Sequence, residues 1–218
     1  MKYKNKKLKI TCDGGAATGK STGAKMIAKK YNLAFLSSGL LYRYAAYLLI
    51  KFKPKNKIFF LRKKFKNLNY HKLHAISLHT PKISAYTSSI AKKASLRNIL
   101  KIYQQNFVNK NAGCVLEGRD ASTKILPKSD VKFYFICNTT TAAKRRYKEL
   151  KKRAQNVSFK EIKRDIYARD RSDRQRAISP LQRHPLAIIV NTGKMNKQAM
   201  VSYMSKHVEK VLKIKYGN

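Results

Sequence analysis

A glycine-rich segment near the N-terminus constrains the fold more than any other feature of this sequence. The apolar run of residues 8–12 precedes it, and a helical pattern over residues 22–30 follows it. It fits the phosphate-loop motif, in which a glycine, four further residues and Gly-Lys-Ser connect a strand to a helix. The segment consists of Gly14, Gly15, Ala16, Ala17, Thr18, Gly19, Lys20, Ser21 and Thr22.

The chemistry of this loop is suited to polyphosphate binding. Glycines let the backbone turn tightly, so several N–H groups can point at one polyphosphate, and the following helix adds its positive N-terminus. Lys20 can reach the outer phosphates, and the Ser21 hydroxyl can ligate Mg²⁺. The alternative is a glycine turn that binds no phosphate. Because the motif is complete and lies between a strand and a helix, we predict that residues 14–22 bind the phosphates of ATP or another nucleoside triphosphate.

Length and charge set the outer limits of the interpretation. The chain has 218 residues, enough for one α/β domain with its own core, so we predict a single domain over residues 1–218. Its 50 Lys and Arg against 10 Asp and Glu give a formal net charge of +40. Such a field favours nucleotides, nucleic acids and anionic membranes. A lysine-rich surface that selects no partner explains the same charge, and both alternatives stay open.

The cysteines and the apolar runs indicate where the protein works. Cys12, Cys114 and Cys137 are far apart and lie inside apolar runs, which predicts buried free thiols in a reducing cytosol, without a disulfide framework or zinc site. No signal peptide is predicted, and no run approaches the roughly 20 apolar residues of a spanning helix. We expect a cytoplasmic protein with no membrane contact and no obligatory protein partner.

The remaining pattern alternates strands and helices. Strands are predicted at residues 33–36, 114–117, 131–137 and 186–190, helices begin near residues 37, 138 and 158, and a single helix is predicted over residues 87–108. The final helix, residues 196–216, is predicted to place one apolar face inward, with Met200, Met204, Val208, Val211 and Leu212. Residues 68–86 are weakly patterned and predict two short strands or a loop, with Pro81 as a breaker. This order predicts an α/β fold with a central parallel sheet, whose ligands lie at the carboxyl ends of the strands.

A basic segment at residues 51–67 is interleaved with Phe52, Phe59, Phe60 and Phe65. One interpretation is a surface for nucleic acid or a membrane. The other is an amphipathic helix whose aromatic side chains pack on the body of the protein. Helical spacing explains the aromatic residues unaided, so we favour the packed helix.

Two charged features lie near the predicted strand ends. Glu117 closes an apolar strand, a position from which a carboxylate can act on phosphate-loop magnesium through water; the alternative is a carboxylate that balances local lysines. Residues 169–176 are rich in arginine. They fit a solvated helix or a mobile lid, about residues 153–182, that brings guanidinium groups onto phosphates. The phosphate loop favours the lid.

A kinase needs a donor cradle, a magnesium ligand, cations around the migrating phosphoryl group and a clamp for the acceptor, since positioning and charge neutralisation supply its rate. The loop supplies the first two. The candidates for the rest are Arg43, Arg119, Arg169 and Arg176.

The chain resembles the bacterial cytidylate kinases nearly from end to end. The family transfers phosphate from ATP to CMP or dCMP with Mg²⁺, and the resemblance implies a three-layer P-loop NTPase-type fold, an arginine-rich lid and a shortened nucleotide-binding insert at about residues 53–86. It rests on the loop and on Ser38-Gly39-Leu40-Leu41-Tyr42-Arg43, Gly118-Arg119-Asp120, Arg146-Tyr147-Lys148-Glu149-Leu150 and residues 169–181.

The resemblance also implies residue roles. The catalytic cations are Lys20, Arg119, Arg169 and Arg176, and the last three lie with Arg43 around the CMP phosphate or the phosphoryl group in flight. Ser38 and Tyr42 shape the acceptor pocket. Ser88, Arg97 and Asp120 face cytosine, and Asp173 lies with Arg169 near the ribose.

Cytosine chemistry fits this base assignment. A carboxylate accepts from the cytosine amino group, and an arginine donates to its ring acceptors. Uracil has an oxygen in place of that amino group, so Asp120 would discriminate against UMP.

The chain departs from the family at Ser37, where an aspartate is usual, and at Gly15, Ala17 and Thr18 of the loop. Ala17 replaces a glycine and is expected to constrain the loop. Two alternatives stay open: a kinase of the same fold with another acceptor, and a basic RNA-binding protein with a vestigial loop. Weak non-specific nucleic-acid binding is compatible with all of them.

Overall fold

The structure is a computed structural model that describes residues 7–152 and 157–217. The chain divides into two compact units, one formed by the residues up to 35 together with those from 112 onwards, the other by residues 36–111. The insert predicted at about residues 53–86 falls within the second unit. The lid predicted at about residues 153–182 falls within the first, and its residues 153–156 lie outside the described part of the chain.

A parallel sheet organises the first unit. Its strand order is β2-β3-β1-β4-β5, and β1 lies between β3 and β4, parallel to both. β1, β3 and most of β4 are buried on both faces, as expected of a parallel sheet covered by helices, so the predicted α/β fold is confirmed. The strands are β1 (Lys9–Gly14), β2 (Ala34–Ser37), β3 (Cys114–Gly118), β4 (Val131–Ile136) and β5 (Ile188–Asn191).

The helices begin close to the predicted positions in most of the chain. Asn138 and Asn196 are N-caps whose side chains accept from the N–H groups of Thr141 and Ala199, at 2.7 and 2.8 Å. These bonds satisfy donors that the first turn would leave free. The helices are α1 (Lys20–Tyr31), α2 (Ser38–Phe52), α3 (Lys57–Lys66), α4 (Pro81–Ile90), α5 (Ala94–Lys110), α6 (Thr139–Lys151), α7 (Phe159–Gln175) and α8 (Lys197–Tyr216).

The core of the first unit lies between the sheet and helices α1 and α8. Phe133 and Phe135 of β4 pack in it with Ile27 of α1 and Met204 of α8. A Cβ atom on Gly23 would come within 2.9 Å of the Phe135 ring, so a glycine lets α1 approach β4 closely. The predicted inner face of α8 is confirmed. Its buried residues include Met200, Met204, Val208 and Leu212.

The thiols follow the prediction with one exception. Cys12 and Cys114 are buried and free, whereas Cys137 is only partly buried. Among the described residues, no helix is both long enough and apolar enough to cross a membrane.

The second unit is helical, and here two predictions are wrong. Residues 68–86 contain no strand: a short 3₁₀ helix covers Tyr70–Ala75 and α4 begins at Pro81. Proline suits the first position of a helix, where its missing N–H has no partner to lose. The Thr80 side chain caps this helix by accepting from the Ile83 N–H at 3.3 Å.

The prediction of a single helix over residues 87–108 is also wrong, because the helical structure is interrupted between α4, which ends at Ile90, and α5, which begins at Ala94. Ser88 therefore lies on one helix and Arg97 on the next. The Thr87 hydroxyl donates back to the Ile83 carbonyl at 2.7 Å, a bond that competes with regular helix geometry. The Arg97 guanidinium donates to the carbonyl of Ala91, at the end of α4, at 3.0 Å.

The basic segment is packed only in part. Leu61 and Phe65 of α3 are buried, so the packed-helix interpretation holds for Phe65. It is wrong for Phe52 and Phe59, which are 50% and 68% exposed. Helical spacing did not predict this because the segment is not one helix: α2 ends in a left-handed residue, Lys53 with φ 43°, and α3 begins only at Lys57.

Candidate active site

The phosphate loop connects β1 to α1 and is built on two glycines. A Cβ atom on Gly14 would lie 2.5 Å from the Phe135 carbonyl oxygen, and Gly19, at the N-terminus of α1, has φ 85°. Thr18 holds the loop from inside, since its hydroxyl donates to the Gly15 carbonyl at 3.0 Å. The sequence motif therefore corresponds to a formed loop at a helix N-terminus, the geometry that binds phosphates.

Lys20 and Glu117 meet beside this loop. The buried Lys20 ammonium donates to the Gly15 carbonyl at 2.9 Å and lies 3.5 Å from a Glu117 carboxylate oxygen. Burial, with Arg119 adding to it, lowers the pKa of Lys20 to about 8. Glu117 thus forms an ion pair with the loop lysine.

Ala17 has a strained backbone. Its φ of 54° lies in the left-handed region, where a Cβ atom costs about 1–2 kcal/mol. Ala17 takes the place of a glycine usual in the resembling family, and the predicted constraint on the loop has this physical basis.

Replacing Ala17 by glycine is expected to raise the free energy of unfolding or leave it unchanged. Relief of about 1 kcal/mol of strain opposes a loss of about 0.4–1 kcal/mol from the more flexible unfolded chain. Urea denaturation measures the difference. Ala168→Gly, at an exposed position inside α7, is the control and should cost about 1 kcal/mol. An equal loss in both variants would contradict the strain.

Asp13, the last side chain of β1 before the loop glycines, is a buried carboxylate that our sequence analysis missed. It accepts from the backbone N–H groups of Ala121 and Ser122 at 2.8 and 2.7 Å, and from the Ser122 hydroxyl at 2.6 Å. Burial raises the pKa of Asp13 to about 6, against the opposing effect of these bonds. The carboxylate ties the strand that enters the phosphate loop to the segment directly after Asp120.

Asp173 of α7 gathers three of the predicted arginines. It accepts from Arg119 Nε at 2.9 Å and from Arg176 Nη1 at 3.2 Å, and Arg169 Nε lies 4.0 Å away. Burial alone would raise the pKa of Asp173, but the arginines outweigh it and lower that pKa. Asp120 joins this cluster, with a carboxylate oxygen 4.0 Å from Arg176 Nη2.

Asp170, one helical turn before Asp173, touches the phosphate loop. Its carboxylate accepts from the Ala16 backbone N–H at 2.8 Å and lies so close to Gly15 that a Cβ atom there would overlap it. An anionic group thus already binds a loop amide. The acidic residues among the arginines were the sequence signal for this contact, but their spacing did not say which one would reach the loop.

A second support of the loop was also missed. Arg145 of α6 donates to the hydroxyl and the carbonyl of Thr192 at 2.8 and 2.7 Å, and the Thr192 hydroxyl donates to the Thr18 carbonyl at 2.7 Å. This chain of bonds fixes the loop from the end of β5.

The other predicted acceptor-site residues lie in the second unit. Arg43 is buried and donates to the Leu78 carbonyl at 3.1 Å and the Ser84 hydroxyl at 2.8 Å. Ser88 donates to the Ser84 carbonyl at 3.3 Å. The Arg97 guanidinium lies 5.4 Å from the centre of the Tyr42 ring. Ser38, in the first turn of α2, is buried as well.

The first unit therefore defines a class of protein. A phosphate loop between a parallel strand and a helix, a buried loop lysine and arginines gathered near it are the parts of a P-loop phosphotransferase. Among the described residues, no cluster of three His, Cys, Asp or Glu side chains offers a protein-only metal cage.

Sequence comparison narrows the class to one family. The cytidylate kinase family model matches residues 10–210. The cytidylate kinase of Bartonella tribocorum is 34% identical over 94% of this chain and 96% of its own. That of Thermosipho melanesiensis is 32% identical over 94% of this chain and 99% of its own. The chain belongs to the cytidylate kinase family.

Solved structures share the fold at low sequence identity. An uncharacterized protein from Eubacterium ventriosum superimposes with a TM-score of 0.55 at 16% identity, over 94% of this chain and 99% of that one. Shikimate kinase from Bacteroides thetaiotaomicron superimposes with a TM-score of 0.50 at 12% identity, over 93% of this chain and 98% of that one. At these identities the likeness concerns the fold alone.

Proposed function

We propose that this enzyme transfers the γ-phosphate of ATP to CMP or dCMP, giving ADP and CDP or dCDP. The observation that carries the proposal is the arginine cluster around Asp173, in the same unit as the phosphate loop and within a family match that spans residues 10–210. An acceptor phosphate oxygen attacks the γ-phosphorus while the bond to the bridging oxygen breaks, and ADP leaves. Charge neutralisation and alignment supply the rate of such a step.

The donor half consists of the loop and Lys20. The loop amides and the N-terminus of α1 would hold the ATP phosphates. The Lys20 ammonium would contact the outer phosphates. The oxygen donors present fit Mg²⁺: the Ser21 hydroxyl as a ligand and the Glu117 carboxylate, 3.5 Å from Lys20, through water. The ion would neutralise the charge that develops on the phosphate oxygens.

For the acceptor, we propose that Arg119, Arg169 and Arg176 neutralise the phosphates, with Asp173 orienting them. Burial, with Arg119 adding to it, lowers the pKa of Arg169 to about 10, so its guanidinium is still charged at neutral pH. Arg43 is proposed as a further phosphate contact. The remaining proposed contacts are Ser38, Tyr42, Ser88 and Arg97 in the second unit.

Asp120 is proposed to select cytosine. Its carboxylate is buried at the end of β3 and close to Arg176, so it is an acceptor held away from water. Buried acceptors favour a ligand that offers a donor and disfavour one that offers an oxygen, because the latter leaves both groups without a partner.

An ADP-coupled assay with CMP, dCMP, UMP and AMP tests the proposal. We expect turnover of CMP or dCMP well above that of UMP and AMP. Asp120→Ala should reduce the preference for CMP over UMP by about tenfold to a hundredfold, while Asp165→Ala, at an exposed position on α7, should leave it unchanged. Turnover of AMP without CMP or dCMP would refute the substrate. Unchanged selectivity in Asp120→Ala would remove this residue from base reading.

A further inference from the structure

The second unit carries a surface that contains none of the proposed ATP or CMP contacts. We call residues 51–66 the basic–aromatic surface; eight of these sixteen residues are Lys or Arg and none is acidic. The fraction of basic residues is about twice that of the whole chain, which has 50 in 218. A general lysine excess therefore does not account for its charge.

Aromatic rings lie among these cations at the surface. Phe59 is 68% exposed, and Phe52 is half exposed with its ring centre 5.6 Å from that of Phe60. The Lys64 ammonium lies 5.5 Å from the centre of the Phe52 ring and 5.7 Å from that of Phe60, and Lys51 lies 5.5 Å from Phe52. Cations and ring faces alternate over a short distance.

Packing in the fold accounts for only the buried face of this segment. Leu61 and Phe65 are buried and hold α3 to α5. Phe59 contributes little to that packing, since most of its side chain is in water. The fold therefore uses the face of α3 that carries Leu61 and Phe65 and leaves Phe59 exposed on this helix.

We propose that the basic–aromatic surface binds single-stranded nucleic acid without sequence preference. Lysines attract the phosphates, and exposed rings provide faces on which bases stack, the two components of such sites. A lipid bilayer fits less well because it requires a continuous apolar face on the helix, and here Leu61 and Phe65 are taken up by packing. The proposal is independent of the kinase reaction.

Fluorescence anisotropy of a labelled oligouridylate or oligodeoxythymidylate of about 15 nucleotides tests the proposal. The full-length protein, freed of nucleic acid at high salt, is titrated over a range of KCl concentrations. Phe52→Ala combined with Phe59→Ala should weaken binding by about tenfold or more through lost stacking. A triple variant, Lys57→Gln, Lys63→Gln and Lys64→Gln, should reduce the slope of log K against log salt by about 2.

The control has the same net charge as the lysine variant. Lys206→Gln, Lys210→Gln and Lys213→Gln remove three exposed lysines of α8 in the first unit, and should leave the slope within about 0.5 of the starting protein. Equal effects of the two triple variants would assign binding to the overall charge and overturn the proposal. Undiminished oligonucleotide affinity of the double phenylalanine variant would also overturn it. The same holds if this variant loses binding to phosphatidylserine vesicles while its oligonucleotide binding stays intact.

Discussion

Replacing Asp13 by alanine is expected to lower the free energy of unfolding by about 3 kcal/mol or more, since each buried donor left without an acceptor costs about 1–3 kcal/mol. Three donors from Ala121 and Ser122 lose their partner at once. The segment after Asp120 then loses its anchor. We therefore also expect kcat/KM for CMP to fall by about a hundredfold, the effect of displacing binding groups by about 1 Å.

Urea denaturation and the coupled assay measure these two losses. Asp130→Ala is the control, because Asp130 also accepts a backbone N–H, that of Lys9 at 2.6 Å, but lies at the start of β4. It should cost stability and leave kcat/KM for CMP unchanged. If Asp13→Ala behaved in the same way, Asp13 would be structural only.

The loss of unfolding free energy in Asp13→Ala depends on pH in a definite direction. The pKa of Asp13 is raised from 3.8 to about 6, so the folded protein binds this proton more tightly than the unfolded chain. Its contribution to stability is therefore fully present below about pH 4 and declines as the pH rises to about 6. The stability gap between the two proteins should shrink over that interval and then level off. A gap independent of pH would contradict the raised pKa.

Asp173→Asn is expected to reduce kcat/KM for CMP by about a hundredfold to a thousandfold, since that is the effect of losing a positioned donor that stabilises charge in the transition state. Asparagine keeps the shape but removes the charge that holds Arg119, Arg169 and Arg176 near one point. The arginines would then repel one another and lose their orientation toward phosphates.

Initial rates at varied CMP concentration check this result, and saturation with CMP should not restore kcat. Asp165→Asn, two turns earlier on the same helix and exposed, is the control and should retain full activity. Full activity of Asp173→Asn would show that the arginines keep their positions without this carboxylate.

The sequence predicted the parts of this protein that depend on local pattern. The motif from Gly14 to Ser21 requires a turn between a strand and a helix whatever surrounds it, and the inner face of α8 follows from its helical period. Asp13 could not be recognised as an anchor because its role depends on the register in which it pairs with Gly118 of β3. That pairing joins residues more than a hundred positions apart.

The errors in the second unit have a different cause. Periodicity continued smoothly across Ile90 and Ala94, but hydroxyl groups and the Arg97 guanidinium bond the backbone where the helix ends. Likewise, spacing could not say that Phe65 is buried and Phe59 exposed. Only one side of α3 packs against α5, and which side does so is set by tertiary contacts.

In the proposed ATP site, the contact between Asp170 and the phosphate loop makes phosphate binding a competition. The Ala16 N–H that this carboxylate occupies cannot be fully shared with a phosphate oxygen, so a triphosphate must displace the aspartate or take up fewer loop amides. The free energy of the aspartate contact is subtracted from the apparent affinity for the donor. Because Asp170 and Asp173 lie on one helix, displacing Asp170 is expected to move Asp173 and the arginines that contact it. We therefore expect binding of the donor and binding of the acceptor at the arginines to be linked, each changing the affinity of the other by the same factor.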